Sequence, residues 1–226
     1  MANAVKKVNG IAIADIKNIN GITDSNLKKL NTLEFAGVTD AHVLIDTFTA
    51  DGSSTRIDIT SGIDSTYDVY EFIYTNIRIQ SDGERLQFQF NAATGSNTAG
   101  FDQNMTTTAF IAYHGESGSG GAVTYYGDFG ADQAGTDAVE QPLGAGIGAD
   151  DDQSISGVLT LYAPSSDTYV KHFMARSSYP QNGDEARDHW VAGYINTDEE
   201  IDEITFKTNT GNIEEGVIKM YGIAKS

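Results

Sequence analysis

One segment, residues 67–79, restricts the fold more than any other. It is a long run of aromatic and β-branched residues without glycine or proline, and apolar side chains fall on both of its parities. This pattern is typical of a strand that is covered on both faces. Residues 81–83 provide turn chemistry, and residues 86–91 then alternate apolar and polar side chains. We therefore predict a hairpin whose second strand has one wet face, formed by Gln87, Gln89 and Asn91.

Similar strand-like runs recur along the chain, among them residues 107–114, 155–163 and 189–195, and are separated by turns that contain Gly, Asn or Asp. We count about ten strands and almost no amphipathic helix, with spacings that favour antiparallel pairing. The prediction is an all-β protein, an antiparallel β-sandwich of jelly-roll-like type over residues 36–226. Residues 92–106 and 127–153 are rich in glycine and polar or acidic residues and are predicted to be loops, as is the polar segment 177–188.

The charge and the absence of cysteine exclude several classes of partner and chemistry. The 226 residues include 32 acidic and 14 basic ones, for a net charge of -18, and no cysteine. Such a charge repels phosphate backbones and anionic lipids, so we expect no nucleic-acid partner. Disulfide and thiol chemistry are excluded. No apolar run reaches the roughly 20 residues of a membrane helix, and we expect neither a membrane span nor a signal peptide.

The first residues are organised differently, as a weak repeat with a period of 11. The sequence VNGI at residues 8–11 recurs as INGI at 19–22 and more loosely as LNTL at 30–33. Five lysines make this the one basic part of the chain. We predict an extended N-terminal arm, residues 1–35, whose repeats need an external surface because they are too few to bury a core. Folding back onto the chain's own sandwich is the alternative. The predicted docking residues are Val8, Ile11, Ile19, Ile22, Lys28, Leu30 and Leu33.

Catalytic patterns are weak. The four histidines occur at spacings that match no metal-binding motif, and none of the 32 acidic residues is singled out as an acid or a nucleophile for glycoside hydrolysis. We expect no enzyme activity and no cofactor. The acidic triplet Asp150, Asp151 and Asp152 is a candidate for calcium, with solvated loop charge as the alternative.

Aromatic residues in predicted loops suggest a ligand contact. Tyr125, Tyr126, Phe129 and Tyr179 lie in such segments and could bind a glycan or a protein, or could cap the core instead. A lectin-like, calcium-dependent glycan-binding module is the alternative function.

Several segments resemble a family of structural proteins of tailed bacteriophages, especially marine ones. The segments that carry the resemblance are IDSTYDVYEF at 63–72, NIR at 76–78, YVKHFM at 169–174, VAGY at 191–194, GNI at 211–213 and IKMYGI at 218–223. The resemblance implies a tail-fibre or decoration type of virion component with a β-sandwich body, and it implies no catalytic residues.

Together these observations predict a non-enzymatic component of a phage particle. The arm would dock on other virion proteins, and the acidic body would project from the particle surface or tail as a fibre, receptor-binding or capsid decoration subunit. Such projections are usually symmetric, so we expect a homo-oligomer, with a trimer favoured and a host-surface glycan as a possible ligand.

Overall fold

The computed structural model describes residues 42–92, 100–118, 120–135 and 139–224, together with six two-residue strands before residue 42. The chain divides into two compact units, the N-terminal unit Met1–Ala41 and the body His42–Ser226. Both are built from antiparallel strands, and the described part of the chain contains no α-helix. Within these ranges, none of the helical segments has the length and apolar character to span a lipid bilayer.

The N-terminal unit consists of three hairpins. Its strands are β1 Lys7–Val8, β2 Ile11–Ala12, β3 Asn18–Ile19, β4 Ile22–Thr23, β5 Lys29–Leu30 and β6 Leu33–Glu34. β1 pairs with β2, β3 with β4 and β5 with β6. Two residues separate the strands of each pair, as in the tightest hairpins, and the pairs recur at the 11-residue period of the sequence repeat. In each hairpin the innermost register pair is apolar: Val8 with Ile11, Ile19 with Ile22, and Leu30 with Leu33.

The body contains twelve strands. They are β7 His42–Thr49, β8 Arg56–Ile59, β9 Val69–Ile79, β10 Glu84–Ala92, β11 Met105–Gly115, β12 Ala122–Tyr125, β13 Gln141–Ile147, β14 Ile155–Tyr162, β15 Lys171–Gln181, β16 Glu185–Ile195, β17 Ile201–Thr208 and β18 Ile213–Ile223. A single 3₁₀ turn, Asp128–Gly130, lies between β12 and β13.

All twelve strands belong to one antiparallel sheet that nearly closes on itself. One stretch follows the order β7-β18-β9-β14-β15-β16-β11-β12, and the other follows β13-β10-β17-β8. The two stretches are joined through a single bridge between Ile147 of β13 and Gln181 of β15. The prediction of an all-β antiparallel protein is confirmed.

Aromatic side chains from both stretches meet in the core. The ring centroids of Phe72 and Phe206 are 5.8 Å apart, and those of Phe88 and Phe173 are 5.3 Å apart in an edge-to-face arrangement. All four side chains are at most 1% exposed. Because each of these pairs joins one stretch of the sheet to the other, burial of these rings holds the sheet in its nearly closed form.

The predicted hairpin of residues 67–90 is wrong in its pairing. Both strands exist, but β9 pairs with β14 and β18, whereas β10 pairs with β13 and β17. The turn that contains Gly83 therefore carries the chain from one stretch to the other, with a positive φ of 75° at this glycine.

The predicted wet face of β10 is also wrong. Gln87, Gln89 and Asn91 are at most 6% exposed. The amide nitrogen of Gln89 donates to the carbonyl oxygens of Gln103 and Val139, and its side-chain oxygen accepts from the backbone N–H of Phe90. A polar side chain can occupy such a buried position when the surrounding backbone provides its hydrogen-bond partners.

Two predicted loops are partly strand. The segment 127–153 contains β13, whose residues are almost all buried, and the segment 177–188 contains the ends of β15 and β16. The sequence of β13, QPLGAGI, contains two glycines and so does not look like a strand, and the packing around Gly144 gives a reason for one of them. A Cβ at this position would lie 2.6 Å from Cδ1 of Ile155 and 2.9 Å from Cε1 of Tyr179, so the glycine allows close packing against neighbouring side chains.

Candidate binding surface

The outward-facing side chains of β14, β15, β16, β11 and β12 are exposed or half-buried and lie side by side on one face of the sheet, which we call the outer face. β15 shows why. Its residues alternate strictly between buried and exposed along most of the strand, with His172, Met174, Arg176 and Ser178 outside and their neighbours in the core. Because the pairing of β15 with β14 and β16 is regular over this length, equivalent positions of the neighbouring strands lie beside these residues.

An aromatic row crosses this face. The register places Arg176 beside Trp190, Trp190 beside Phe110 and Phe110 beside Tyr125, so the row spans four strands. The rings of Phe110 and Trp190 are stacked, with centroids 5.7 Å apart and an interplanar angle of 8°. The guanidinium carbon of Arg176 lies 4.4 Å from the ring centroid of Trp190. These four residues form a ridge, which we call the aromatic ridge, held in place by stacking and a cation–π contact.

Asp188 fixes the guanidinium at the end of the ridge. Nε and Nη2 of Arg176 each donate to a carboxylate oxygen of Asp188, both at 2.9 Å. This bond lowers the pKa of Asp188, and the same bond raises the pKa of Arg176. A two-point pair orients the planar guanidinium more strongly than a single contact would.

A groove runs beside the ridge. Its volume is about 530 Å³, and Ala192 and Gly193 of β16 are among the residues that line it. Gly193 has no room for a larger residue, because a Cβ there would lie 2.6 Å from the carbonyl oxygen of Thr106. The remaining lining residues are Thr106, Thr107, Thr108, Tyr162, His172, Phe173, Met174 and Tyr194. The groove is therefore mainly apolar, with threonine and tyrosine side chains at its border.

The outer face is nearly free of charge in a highly charged body. The N-terminal unit holds five lysines and four acidic residues, so the body holds the remaining 9 basic and 28 acidic residues, for a net charge of -19. On the outward-facing positions of the five described strands, Arg176 and Asp188 are the only Asp, Glu, Lys or Arg residues, and they neutralise each other. Such a surface can bind a partner by apolar and aromatic contact, without long-range electrostatic attraction.

Two basic side chains buried elsewhere in the body serve the fold. Lys171 at the start of β15 is fully buried, and its Nζ donates to the carbonyl oxygen of Thr197 at 3.4 Å. Burial lowers the pKa of Lys171, while the acidic residues of the segment 198–200 oppose the shift. His189 is 1% exposed, packs edge-to-face on Tyr126 at 5.3 Å, and has its pKa lowered to about 4 by burial.

The predicted ligand-binding aromatics whose side chains are described, Tyr125, Tyr126 and Tyr179, lie in different environments. Tyr125 is 60% exposed at the end of the aromatic ridge, and its hydroxyl donates to Asp132 at 3.3 Å. Tyr126 and Tyr179 are buried, which agrees with the alternative that they cap the core. Tyr179 lies on β15, where its hydroxyl bonds the backbone N–H and carbonyl of Ala145, both at 3.2 Å. These two tyrosines cap the core, and the side chain of Phe129 lies outside the described residues.

The candidate calcium ligands lie in the turn between β13 and β14. Asp151 is fully exposed and pairs with Arg78 at 3.2 Å, and the backbone N–H of Asp150 donates to the side chain of Gln153. In the described ranges, no group of three or more histidine and carboxylate side chains is placed to hold a metal ion. Asp150, Asp151 and Asp152 lie in a turn, and calcium binding stays a prediction.

The predicted docking residues occupy equivalent positions in the hairpins. Val8, Ile11, Ile19, Ile22, Leu30 and Leu33 are the innermost register pairs described above, while Lys28 lies outside the described residues. Sequence reasoning missed the outer face, although it placed Phe110 and Trp190 on strands. Residues 106–112 and 188–194 do show the required alternation, but only the register brings their side chains together.

No protein-family model matches the chain, and no curated protein and no solved structure matches it.

Proposed function

We propose that the protein is a non-enzymatic structural component of a tailed phage particle. In this proposal the N-terminal unit docks on other virion proteins, and the body projects from the particle surface or tail as a fibre, receptor-binding or capsid decoration subunit. The resemblance to phage structural proteins suggests the setting, and the division of the chain into two different units supports the roles.

The observation that carries the proposal is the contrast between the two units. The N-terminal unit repeats one small pair of strands three times, and the innermost register pair is apolar each time. Two-stranded hairpins of this size are marginal by themselves, so they gain stability by packing against another surface. The body has a core of its own, a cluster of buried side chains drawn from its strands within residues 42–226. An attachment unit followed by a self-sufficient body is the organisation that a projecting virion subunit needs.

The body is proposed to be a jelly-roll-like β-sandwich. The stretch β7-β18-β9-β14-β15-β16-β11-β12 would form one layer and β13-β10-β17-β8 the other, with the contacts Phe72–Phe206 and Phe88–Phe173 between them. In this architecture the chain typically crosses from one layer to the other between consecutive strands. The turn that contains Gly83 would be such a crossing, from β9 to β10.

A binding role is better supported than catalysis. Asp188, the carboxylate on the outer face, has its pKa lowered by Arg176 and is therefore held as an ion, which does not suit a general acid. The lectin-like alternative has lost part of its support, since Tyr126 and Tyr179 belong to the core.

Co-sedimentation with phage particles that lack the protein tests docking. We expect the full chain to bind and the variant I19D/I22D, which places charge on an apolar register pair, to bind at least about tenfold more weakly. The matched control N18D/T23D adds the same charge to the other register pair of that hairpin and should retain binding. Equal binding of all three proteins, or equal loss in both variants, would contradict docking by the apolar pairs.

A further inference from the structure

We propose that the outer face is the surface through which a second copy of this chain packs against the body. The aromatic ridge and the adjacent groove would form the centre of this interface. The inference rests on the body alone and does not depend on a role in phage particles.

The composition of the face is that of a protein interface. The centres of such interfaces are enriched in Trp, Tyr, Phe, Met and Arg and depleted in Lys, Glu and Asp. The exposed side chains here include Phe110, Tyr125, Met174 and Arg176, with half-buried Trp190 between them. An aromatic and apolar surface in contact with water is unusual for a protein whose body contains 28 acidic residues.

The size of the face suits one partner. Five strands about 4.8 Å apart cover roughly 24 Å across the sheet, and four outward-facing residues on each strand except the short β12 cover a similar length along it. A corrugated surface of this extent offers on the order of 600 to 800 Å², which is close to what one protein contributes to a stable interface.

The charge distribution favours a copy of the same chain. Two bodies that each carry a net charge of -19 repel each other over most orientations, and the repulsion is weakest where both present their uncharged faces. The face is also self-complementary. It carries one base and one acid, Arg176 and Asp188, so a twofold arrangement can place each opposite its counterpart on the other copy.

The edge strand of the face, β12, also indicates that another chain covers it. All four residues of β12 are exposed, and among the described strands β12 pairs only with β11. Its outward-facing residues, Val123 and Tyr125, are 73% and 60% exposed. An open edge with apolar residues is prone to pairing with other chains unless something covers it. A second copy packed over the ridge would cover it.

Sedimentation velocity and light scattering of the full chain test the proposal. Over about 1 to 100 µM we expect concentration-dependent association. We also expect it to strengthen as NaCl rises from about 20 to 500 mM, because salt screens the repulsion between the acidic bodies. The variants Phe110→Asp and Met174→Asp should each raise the dissociation constant at least tenfold. Leu44→Asp is the matched control, since Leu44 is 50% exposed on β7, at the far end of the strand order, and it should leave association unchanged.

Trp190 provides a second measurement, because it is the only tryptophan in the chain. Its emission should shift to shorter wavelength as the protein associates, and the shift should be absent in Phe110→Asp. Circular dichroism establishes that each variant is folded, as expected for exposed positions. A chain that stays monomeric at every concentration, as a face reserved for a glycan or another protein would require, overturns the proposal. Association that the three variants leave equally strong overturns it as well.

Discussion

The guanidinium carbon of Arg176 lies 4.4 Å from the ring centroid of Trp190. The same guanidinium donates two hydrogen bonds to the carboxylate of Asp188, and these bonds fix its orientation over the indole ring. The pair joins β15 to β16 on the outer face and covers one face of the indole, while Phe110 stacks on the other. The geometry of the ridge therefore depends on a charged pair that is itself exposed.

Removing Arg176 should uncover Trp190. In Arg176→Ala we expect acrylamide to quench Trp190 fluorescence more strongly, because one face of the indole becomes open to solvent. Global stability should change little, since exposed ion pairs contribute little to folding. Arg56→Ala is the control, because Arg56 makes an equivalent contact with Phe101 at 4.9 Å and pairs with Asp58. Equal quenching in the wild type and in Arg176→Ala would contradict the stacked arrangement.

The positions of the strands could be read from the sequence with fair success, because each strand carries its own periodic signal. Residues 67–79 and 155–163 lie on β9 and β14 within two residues at either end. The pairing could not be read in the same way. β9 and β10 are neighbours in sequence but do not pair: β9 pairs with β14 and β18, and its Phe72 contacts Phe206 of β17, both far along the chain.

The incorrect predictions share one physical cause. The burial and packing of the residues concerned depend on contacts with residues far away in the sequence. Gln89 looks solvent-exposed by composition, but its partners come from loops that follow β10 and precede β13. Gly144 looks like a loop residue, but the space it leaves is filled by Ile155 and Tyr179. Of the predicted ligand aromatics, Tyr125 alone is seen to be exposed, because exposure is set by sheet register and not by local sequence.

Gly157 provides a test of the packing between β9, β14 and β15. A Cβ at this position would lie 2.2 Å from the carbonyl oxygen of Arg176 and 2.5 Å from the hydroxyl of Tyr74. Since the first of these atoms belongs to the backbone, Gly157→Ala should destabilise the body by about 2 to 3 kcal/mol, as measured by urea unfolding. Gly100→Ala is the control, because nothing lies within 4 Å of a Cβ there, and it should be neutral or slightly stabilising.

Phe206 tests whether the two stretches of the sheet share one core. It is fully buried on β17 and contacts Phe72 and Tyr74 of β9, with centroid distances of 5.8 and 6.4 Å. We expect Phe206→Ala to lower the free energy of unfolding by about 3 to 5 kcal/mol, because it leaves a cavity between the stretches. Leu44→Ala, at a half-exposed site, should change it by less than about 1 kcal/mol. A comparable loss in both variants would argue against a core that joins β9 to β17.

His189 should make the stability of the body depend on pH between about 6.5 and 4. Burial lowers its pKa from 6.5 to about 4 in the folded state. Above pH 6.5 the imidazole is neutral in both states, so the folded protein is at full stability. As the pH falls below 6.5, the unfolded chain binds a proton that the folded protein does not, and stability decreases until about pH 4. The loss reaches about 3 kcal/mol for a difference of this size.

Urea unfolding at pH 7.5 and 4.5 measures this effect, and His189→Leu is the informative variant. Leucine keeps an apolar side chain against Tyr126 but cannot bind a proton, so most of the loss between the two pH values should disappear. The pKa of the Asp188 carboxyl is lowered, so its contribution to the free energy of unfolding is lost only below the pH range tested. That contribution is therefore the same in both proteins. His172→Leu, at an exposed position on β15, controls for a general effect of removing a histidine. If wild type and His189→Leu lose equal stability between pH 7.5 and 4.5, the imidazole is not buried as the structure shows.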